Sequence, residues 1–338
     1  MKWGIIGLGY MAKMIASSFT DVKNSELLAI SSKSSFKLAK FGKKFNIKNK
    51  YRFKTYEEIL NCKEIDNIYI STINHTHFDL IIKSIEANKN ILCEKPITIN
   101  SKDALFIYEK LKKSKSFFME SLPYRAHPLM SFLLKTLKEK TIGEILDIKS
   151  TFGFKKKTKN NNHRLFNEKL GGGAILDLGC YPVSFSNLIA NINNKGKNLI
   201  PKIVNVSGTI FKTGVDDLSY LTLKYNNEIK SEIGVSITQV MENETIINGT
   251  EGRITIKNPW SPEKKSFIEI SNDKRYYKLL VKSELSLLAN QINLVNKFIA
   301  DGKNEGEYPC MSWNNSVDTA LILNEWKNLL IKKNENYK

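Results

Sequence analysis

Five short segments of this chain carry residue types that could do chemistry together. Gly7-Leu8-Gly9-Tyr10-Met11-Ala12 is a G-x-G-x-x-A turn directly after an apolar run. Its first glycine permits a tight turn and its second lets the backbone approach a pyrophosphate. The small third residue lets the following helix pack on the strand, with the phosphates at its N-terminus. A tight turn that binds nothing is the alternative. The second segment is Ser31-Ser32-Lys33-Ser34, at a strand end where an acidic residue ordinarily accepts from the ribose hydroxyls of a cofactor without a 2′-phosphate. A lysine among hydroxyls suits a 2′-phosphate instead, so NADP(H) is expected and NAD(H) is the alternative; a merely solvated Lys33 is the bland reading. The third is Thr72-Ile73-Asn74-His75-Thr76-His77. Two histidines two apart with no third ligand nearby do not make a metal site, so no metal is expected. Asn74 and His77 are read as lining the cofactor edge or capping the next helix.

The fourth segment, Cys93-Glu94-Lys95-Pro96, puts a lysine at a strand end, followed by a proline that fixes the backbone. Lys95 there is either a ligand for a substrate hydroxyl or carbonyl, or part of a surface turn. The fifth is Gly171-Gly172-Gly173-Ala174-Ile175-Leu176-Asp177-Leu178-Gly179-Cys180-Tyr181. Three glycines let the backbone pass close to something, and residues four apart share one face of a helix, as Asp177 and Tyr181 would. A carboxylate and a phenol flanking a lysine form a possible proton-transfer set. A tyrosine titrates ordinarily near pH 10, and a neighbouring ammonium lowers that by favouring the phenolate. Buried structural roles for Asp177 and Tyr181 remain the alternative.

These segments need a scaffold that brings strand ends together. Apolar runs at 3–6, 27–30, 68–71 and 90–93 alternate with amphipathic stretches running to 19 and over 36–45 and 78–87, the pattern of parallel βαβ units. Beyond Gly143 the rhythm changes. Segments 145–154, 203–211, 218–225, 229–238, 254–256 and 267–270 alternate with the period of antiparallel strands. A last helical stretch runs over 313–331.

The 338 residues suffice for about two domains. Hydrophobic residues at 41% and charged residues at 25% exclude disordered and fibrous classes. The apolar stretch 3–12 is too short to cross a bilayer, and it holds three glycines with no cleavage-type site after it. A cytoplasmic location without membrane partners is therefore expected. Four scattered cysteines, none in a C-x-x-C pair, fit reduced thiols. The net charge is +18, yet only five of the 52 basic residues are arginines. Nucleic-acid readout favours arginine, so no specific nucleic-acid partner is expected.

In order and spacing, Gly7 to Ala12, Glu94-Lys95-Pro96 and Gly171 to Tyr181 resemble the Gfo/Idh/MocA oxidoreductase family. Tyr124-Arg125-Ala126-His127-Pro128, His163-Arg164, Gly214-Val215-Asp216-Asp217, Gly249-Thr250-Glu251-Gly252 and Met311-Ser312-Trp313 agree with it. The resemblance implies an α/β chain in two parts. Residues 1–120 would form a Rossmann domain with a doubly wound parallel sheet, and helix 313–331 is expected to pack back on it. Residues 121–338 would form an α+β domain with a large, mainly antiparallel sheet for substrate binding and oligomerisation, as a homodimer or homotetramer. The family's lysine falls on Lys95 and its aspartate on Asp177. Tyr181 stands where inositol-dehydrogenase-like members carry histidine. It is similar to the branch with glucose–fructose oxidoreductase, dimeric dihydrodiol dehydrogenase and NADP-dependent xylose dehydrogenase.

That likeness implies an NADP(H)-dependent oxidoreductase acting on a sugar-like alcohol or carbonyl, with Lys95, Tyr181 and Asp177 as catalytic residues. At the cofactor it places Gly7, Gly9, Tyr10 and Met11 of the first turn, with Ser32 and Lys33. Thr72, Asn74 and His77 would follow, with Glu94, Lys95 and Pro96, and Arg164 from the second part. At the substrate it places Tyr124 and Arg125 beside Lys95, Asp177 and Tyr181. A nucleotide-sugar ketoreductase, with the basic 155–159 segment on a diphosphate, is the alternative within enzymes. A non-catalytic NADP-binding regulator is the alternative outside them.

Overall fold

The computed structural model describes residues 1–157, 163–193, 199–273 and 275–335. Thr158 and Lys159 of the basic segment lie outside the described residues. The chain divides into two compact units.

The first unit begins with β1 (Lys2–Ile6), α1 (Tyr10–Ser18), β2 (Glu26–Ser31), α2 (Ser35–Lys44), β3 (Arg52–Phe53) and α3 (Tyr56–Leu60). It continues with β4 (Asn67–Ile70), α4 (His77–Glu86), β5 (Asn90–Glu94), α5 (Ser101–Leu111) and β6 (Phe118–Ser121). The six strands are parallel, in the order β3-β2-β1-β4-β5-β6. Strands β1 and β4 are buried almost throughout, which is why they read as unbroken apolar runs rather than alternations. The winding reverses between β1 and β4. In sheets of this kind ligands sit outside the carboxyl ends of the strands at that reversal, and the loops after β1, β2, β4 and β5 hold Gly7, Ser32, Thr72 and Lys95.

The second unit opens with α6 (Pro128–Lys138) and β7 (Ile145–Gly153), followed by a helical segment that is π-helical over Ile175–Gly179 and continues as α7 (Cys180–Ala190). Then come β8 (Lys202–Ile210), β9 (Asp216–Lys224), β10 (Lys230–Ser236), β11 (Glu244–Gly249), β12 (Gly252–Lys257), β13 (Lys265–Ser271) and β14 (Tyr276–Lys282). With β7 they make one sheet, β14-β13-β12-β11-β7-β10-β9-β8. Every neighbouring pair is antiparallel except β7 with β10.

The units do not break at 120/121. The first runs to Ala126 and takes back Leu285–Val317, which includes α8 (Leu287–Ala300). Side chains hold this return. Trp3 Nε1 donates to Asn296 Oδ1 at 3.1 Å, Phe117 stacks on Phe298 at 6.4 Å, and Ser121 Oγ donates to Gln291 Oε1 at 3.0 Å. Helix α9 (Trp313–Glu335) belongs to the first unit only through Val317. From Asp318 it is part of the second, where Trp326 Nε1 donates to Ser219 Oγ at 2.8 Å. Among the described residues no helix is long and apolar enough to cross a membrane.

Candidate functional site

In the first unit, Gly7 has φ +88°, and a Cβ there would lie 2.7 Å from Thr72 Cγ2 and 3.0 Å from the Ser71 backbone. The turn therefore needs glycine for its own geometry. Its amide donates to the Ser31 carbonyl at 3.0 Å, and Ser71 Oγ donates to the Gly7 carbonyl at 2.8 Å. Gly9 differs. It heads α1 without a side-chain cap, no acidic residue follows in the first turn, and a Cβ would meet only the Ser71 carbonyl oxygen, at 3.9 Å. The protein's own packing does not demand glycine at 9. Open space before uncapped helix amides fits a diphosphate, so the residues present suit a dinucleotide. Ala12, fully buried, sits where α1 closes on the sheet.

At the end of β2, Ser31 Oγ donates to the Thr55 carbonyl at 2.7 Å, and the buried Ser32 Oγ accepts from the Ser34 amide at 3.2 Å. Lys33 is exposed, its ammonium 5.5 Å from the centre of the Tyr56 ring. At the end of β4, Thr72 Oγ1 accepts from Thr76 Oγ1 at 2.6 Å and Asn74 is buried. His77 has no exposed surface. Its Nδ1 faces the Pro96 carbonyl at 2.9 Å and its Nε2 faces the Thr72 carbonyl at 3.3 Å. Burial lowers its pKa to about 4, so the ring is neutral and its single N–H donates to one of these two carbonyls. His77 is thus behind the loop rather than on its surface.

Lys95 is half-buried just past β5, and its charge acts on two buried carboxyl groups, Glu94 and Glu120. Glu94, expected at the cofactor, instead turns into the sheet, where Tyr69 Oη and Ser121 Oγ donate to it from the flanking strands. Burial raises its pKa. Glu120 on β6 accepts from the Ile97 amide at 2.9 Å. Burial pushes it up to about 7, against the pull of Arg125 and Lys95. Tyr124 and Arg125, expected at the substrate, are buried in this unit. The Arg125 guanidinium donates to Asn315 Oδ1 at 3.3 Å and lies 2.6 Å from Met311 Sδ.

In the second unit the glycine run folds against the segment before it. Gly171 and Gly173 have φ +72° and +110°. A Cβ at Gly172 would lie within 2.6–2.8 Å of the Arg164, Leu165 and Asn167 carbonyl oxygens. The helical segment follows, and Arg164 Nη1 donates to Asp177 Oδ1 at 3.0 Å, with side-chain exposures of 42% and 7%. Tyr181 is half-buried among aromatic rings. Phe152 meets it edge-on at 5.2 Å, and Trp260, whose Nε1 donates to the Thr151 carbonyl at 2.9 Å, lies 6.2 Å away. Phe185 is perpendicular to Trp260 at 5.7 Å. Gly179 lets this segment approach α9, since a Cβ there would come within 3.0 Å of Leu323 and of Trp326.

Profiles of known families match both parts. Residues 1–121 match an oxidoreductase family with an NAD-binding Rossmann fold, and 132–255 match the GFO/IDH/MocA C-terminal domain. The chain belongs to the GFO/IDH/MocA oxidoreductase family. Within the family it is 31% identical over 264 residues to trans-1,2-dihydrobenzene-1,2-diol dehydrogenase of Xenopus tropicalis, covering 77% of each chain. To the Homo sapiens enzyme of that name it is 28% identical over 271 residues, 78% of this chain and 76% of the other. An NADP complex of a 3-ketoreductase from Actinomadura kijaniata superposes with a TM-score of 0.86 at 19% identity, over 97% of both chains. Aldose-aldose oxidoreductase from Caulobacter crescentus also gives 0.86 at 19% identity, over 99% of this chain and 98% of that one. At that identity the likeness is one of fold. The glycine turn at 7–12, Glu94-Lys95-Pro96 and the glycine run through Tyr181 all lie within the matched residues. The aromatic surroundings of Tyr181 were missed, because Phe152 and Trp260 lie about 30 and 80 residues away in sequence and Phe185, four residues on, carries no chemical signal of its own.

Proposed function

We propose that this GFO/IDH/MocA chain is an NADP(H)-dependent oxidoreductase that interconverts a CH–OH group and a carbonyl on a sugar-like or cyclic-diol substrate. One observation carries the reading. The helix that follows the glycine run presents a half-buried phenol, Tyr181, and an arginine-paired carboxylate, Asp177, in a chain whose Gly9 turn suits a dinucleotide. Gly7, Gly9, Tyr10 and Met11 are assigned to the diphosphate, Ser32 and Lys33 to the 2′-phosphate, and Thr72, Asn74 and Pro96 to the nicotinamide side. Bound there, the cofactor gives or takes the hydride. Tyr181 holds the proton of the reacting hydroxyl and passes it on, and Lys95 donates a hydrogen bond to the reacting oxygen. Asp177, steadied by Arg164, accepts from a neighbouring hydroxyl and orients the substrate. The trans-dihydrobenzenediol named for the curated relatives combines adjacent hydroxyls with an apolar ring. Phe152 beside Tyr181 offers such a ring an aromatic wall.

Association through the large sheet, as a homodimer or homotetramer in the cytoplasm, is part of the same reading. Phe267 and Leu280 are cross-strand partners and both exposed, as expected of a face that meets another chain. The test is a screen of dihydrodiols, free aldoses and nucleotide sugars in both directions, following nicotinamide absorbance with NADPH and NADH. Turnover of one class that Tyr181→Phe abolishes supports the reading. Inertness toward all three classes refutes it.

A further inference from the structure

The segment Gly214-Val215-Asp216-Asp217 opens β9 with two acidic residues, and the first of them is used nowhere in the scheme above. Asp216 is 1% exposed. A carboxylate is withdrawn from water at high cost unless something receives it. Here the receiver is the entry of the helix that carries Asp177 and Tyr181. Asp216 Oδ2 accepts from the Ile175 amide at 2.6 Å. Its other oxygen, Oδ1, is buried without a hydrogen-bond partner among the described residues. That oxygen occupies the space a side chain at 173 would take, because a Cβ at Gly173 would lie 2.2 Å from it. The carboxylate therefore sits at the amide end of the segment, where negative charge is favoured. Immediately beyond the contact the winding becomes π-helical over Ile175–Gly179, and single π-turns recur at functional sites. The charged groups facing Asp216 are Lys327 of α9 and, through it, Glu168, which pairs with Lys327 at 3.3 Å.

We propose that Asp216 is the positioning residue that fixes the entry of this helix and thereby the placement of Asp177 and Tyr181. The inference rests on the proposed function only in taking those two side chains as the working groups. Small displacements of such groups cost rate steeply, about 10²-fold for a shift near 1 Å.

The test compares Asp216→Ala with Asp216→Asn, which keeps an oxygen for the Ile175 amide. Amide exchange over 171–181 is read by mass spectrometry on protein shown to be folded. Asp216→Ala should raise exchange there about tenfold, as for a lost helix cap, and lower kcat by about 10²-fold with NADPH affinity unchanged. Asp216→Asn should restore protection and most of kcat. Unchanged exchange in Asp216→Ala overturns the proposal, and so does raised exchange with unchanged kcat. A wild-type chain inert on every substrate class sinks the functional reading alone, since exchange still decides whether Asp216 holds the helix entry.

Discussion

Gly7 and Gly9 stand two residues apart in one motif, yet replacing each by alanine should do opposite things. At Gly7 the backbone is left-handed, at φ +88°, and a Cβ would press on Thr72 and on the Ser71 backbone. The conformation costs a side chain about 1–2 kcal/mol and the overpacking about 1–3 kcal/mol. Their sum lowers the melting temperature by roughly 5–15 °C for a domain of this size. At Gly9 the backbone is extended, at φ −93° and ψ −159°, which alanine adopts freely, and the nearest atom is 3.9 Å from its Cβ. Stability should hold or rise by up to about 1 kcal/mol, because alanine narrows the unfolded ensemble. Affinity for NADPH should nonetheless fall. Displacing one charge-assisted hydrogen bond between an α1 amide and the diphosphate costs about 1.5–3 kcal/mol, or roughly 10–100-fold in Kd. Thermal unfolding without cofactor and fluorescence titration with NADPH separate the two effects. If Gly9→Ala binds NADPH as tightly as wild type, the diphosphate does not lie at the head of α1.

Tyr181→Phe removes only the hydroxyl, so kcat should drop by about 10²–10⁴-fold while NADPH affinity and melting temperature hold. Full turnover in that variant would assign the proton elsewhere. Lys95→Ala should cost at least as much, with a less than additive double variant if the two act on one oxygen. Lys33→Asp should reverse or abolish a preference for NADPH over NADH, read as the ratio of dissociation constants. Glu120 is held near 7 by burial, above its unfolded value, so its contribution to stability is present in acid and lost as pH rises from about 4.5 to 7. In Glu120→Gln that loss, on the order of 3 kcal/mol, should vanish from the pH dependence of unfolding. Parallel wild-type and variant curves across this window would contradict it.

The glycine turn could be read from sequence because its constraints act on residue type. Only glycine tolerates the backbone at 7, and only a small residue fits at 12. The direction of Glu94 could not be read. Glu94 closes β5, and its own segment does not say which side of the sheet its side chain takes. The choice is set by Tyr69 and Ser121 on the neighbouring strands. His77 offered the same ambiguity, settled by the carbonyls of Thr72 and Pro96. Strand β11 escaped notice because one of its inward positions is Thr245, whose hydroxyl is satisfied by Ser150 at 2.6 Å. Strand β14 escaped because it is an exposed edge whose tyrosines and leucines do not alternate in burial. The π-helical winding around Asp177 left no trace in the local sequence, as its entry is held by Asp216, some forty residues away.

The return of Leu285–Val317 to the first unit bears on how the chain is made. When residues 1–126 leave the ribosome, the partners of Trp3, Phe117 and Ser121 do not yet exist. The Phe118 amide likewise lacks the Asn304 carbonyl it will bond at 2.9 Å. Roughly 160 residues separate the two pieces, about 10–30 s of synthesis at ordinary rates. During that interval the nascent nucleotide-binding unit carries an apolar flank around Phe117 that only later sequence can cover. A chaperone arriving in that window would meet this flank. A fragment ending at 126 would keep it for good, and should aggregate where the full chain stays dispersed.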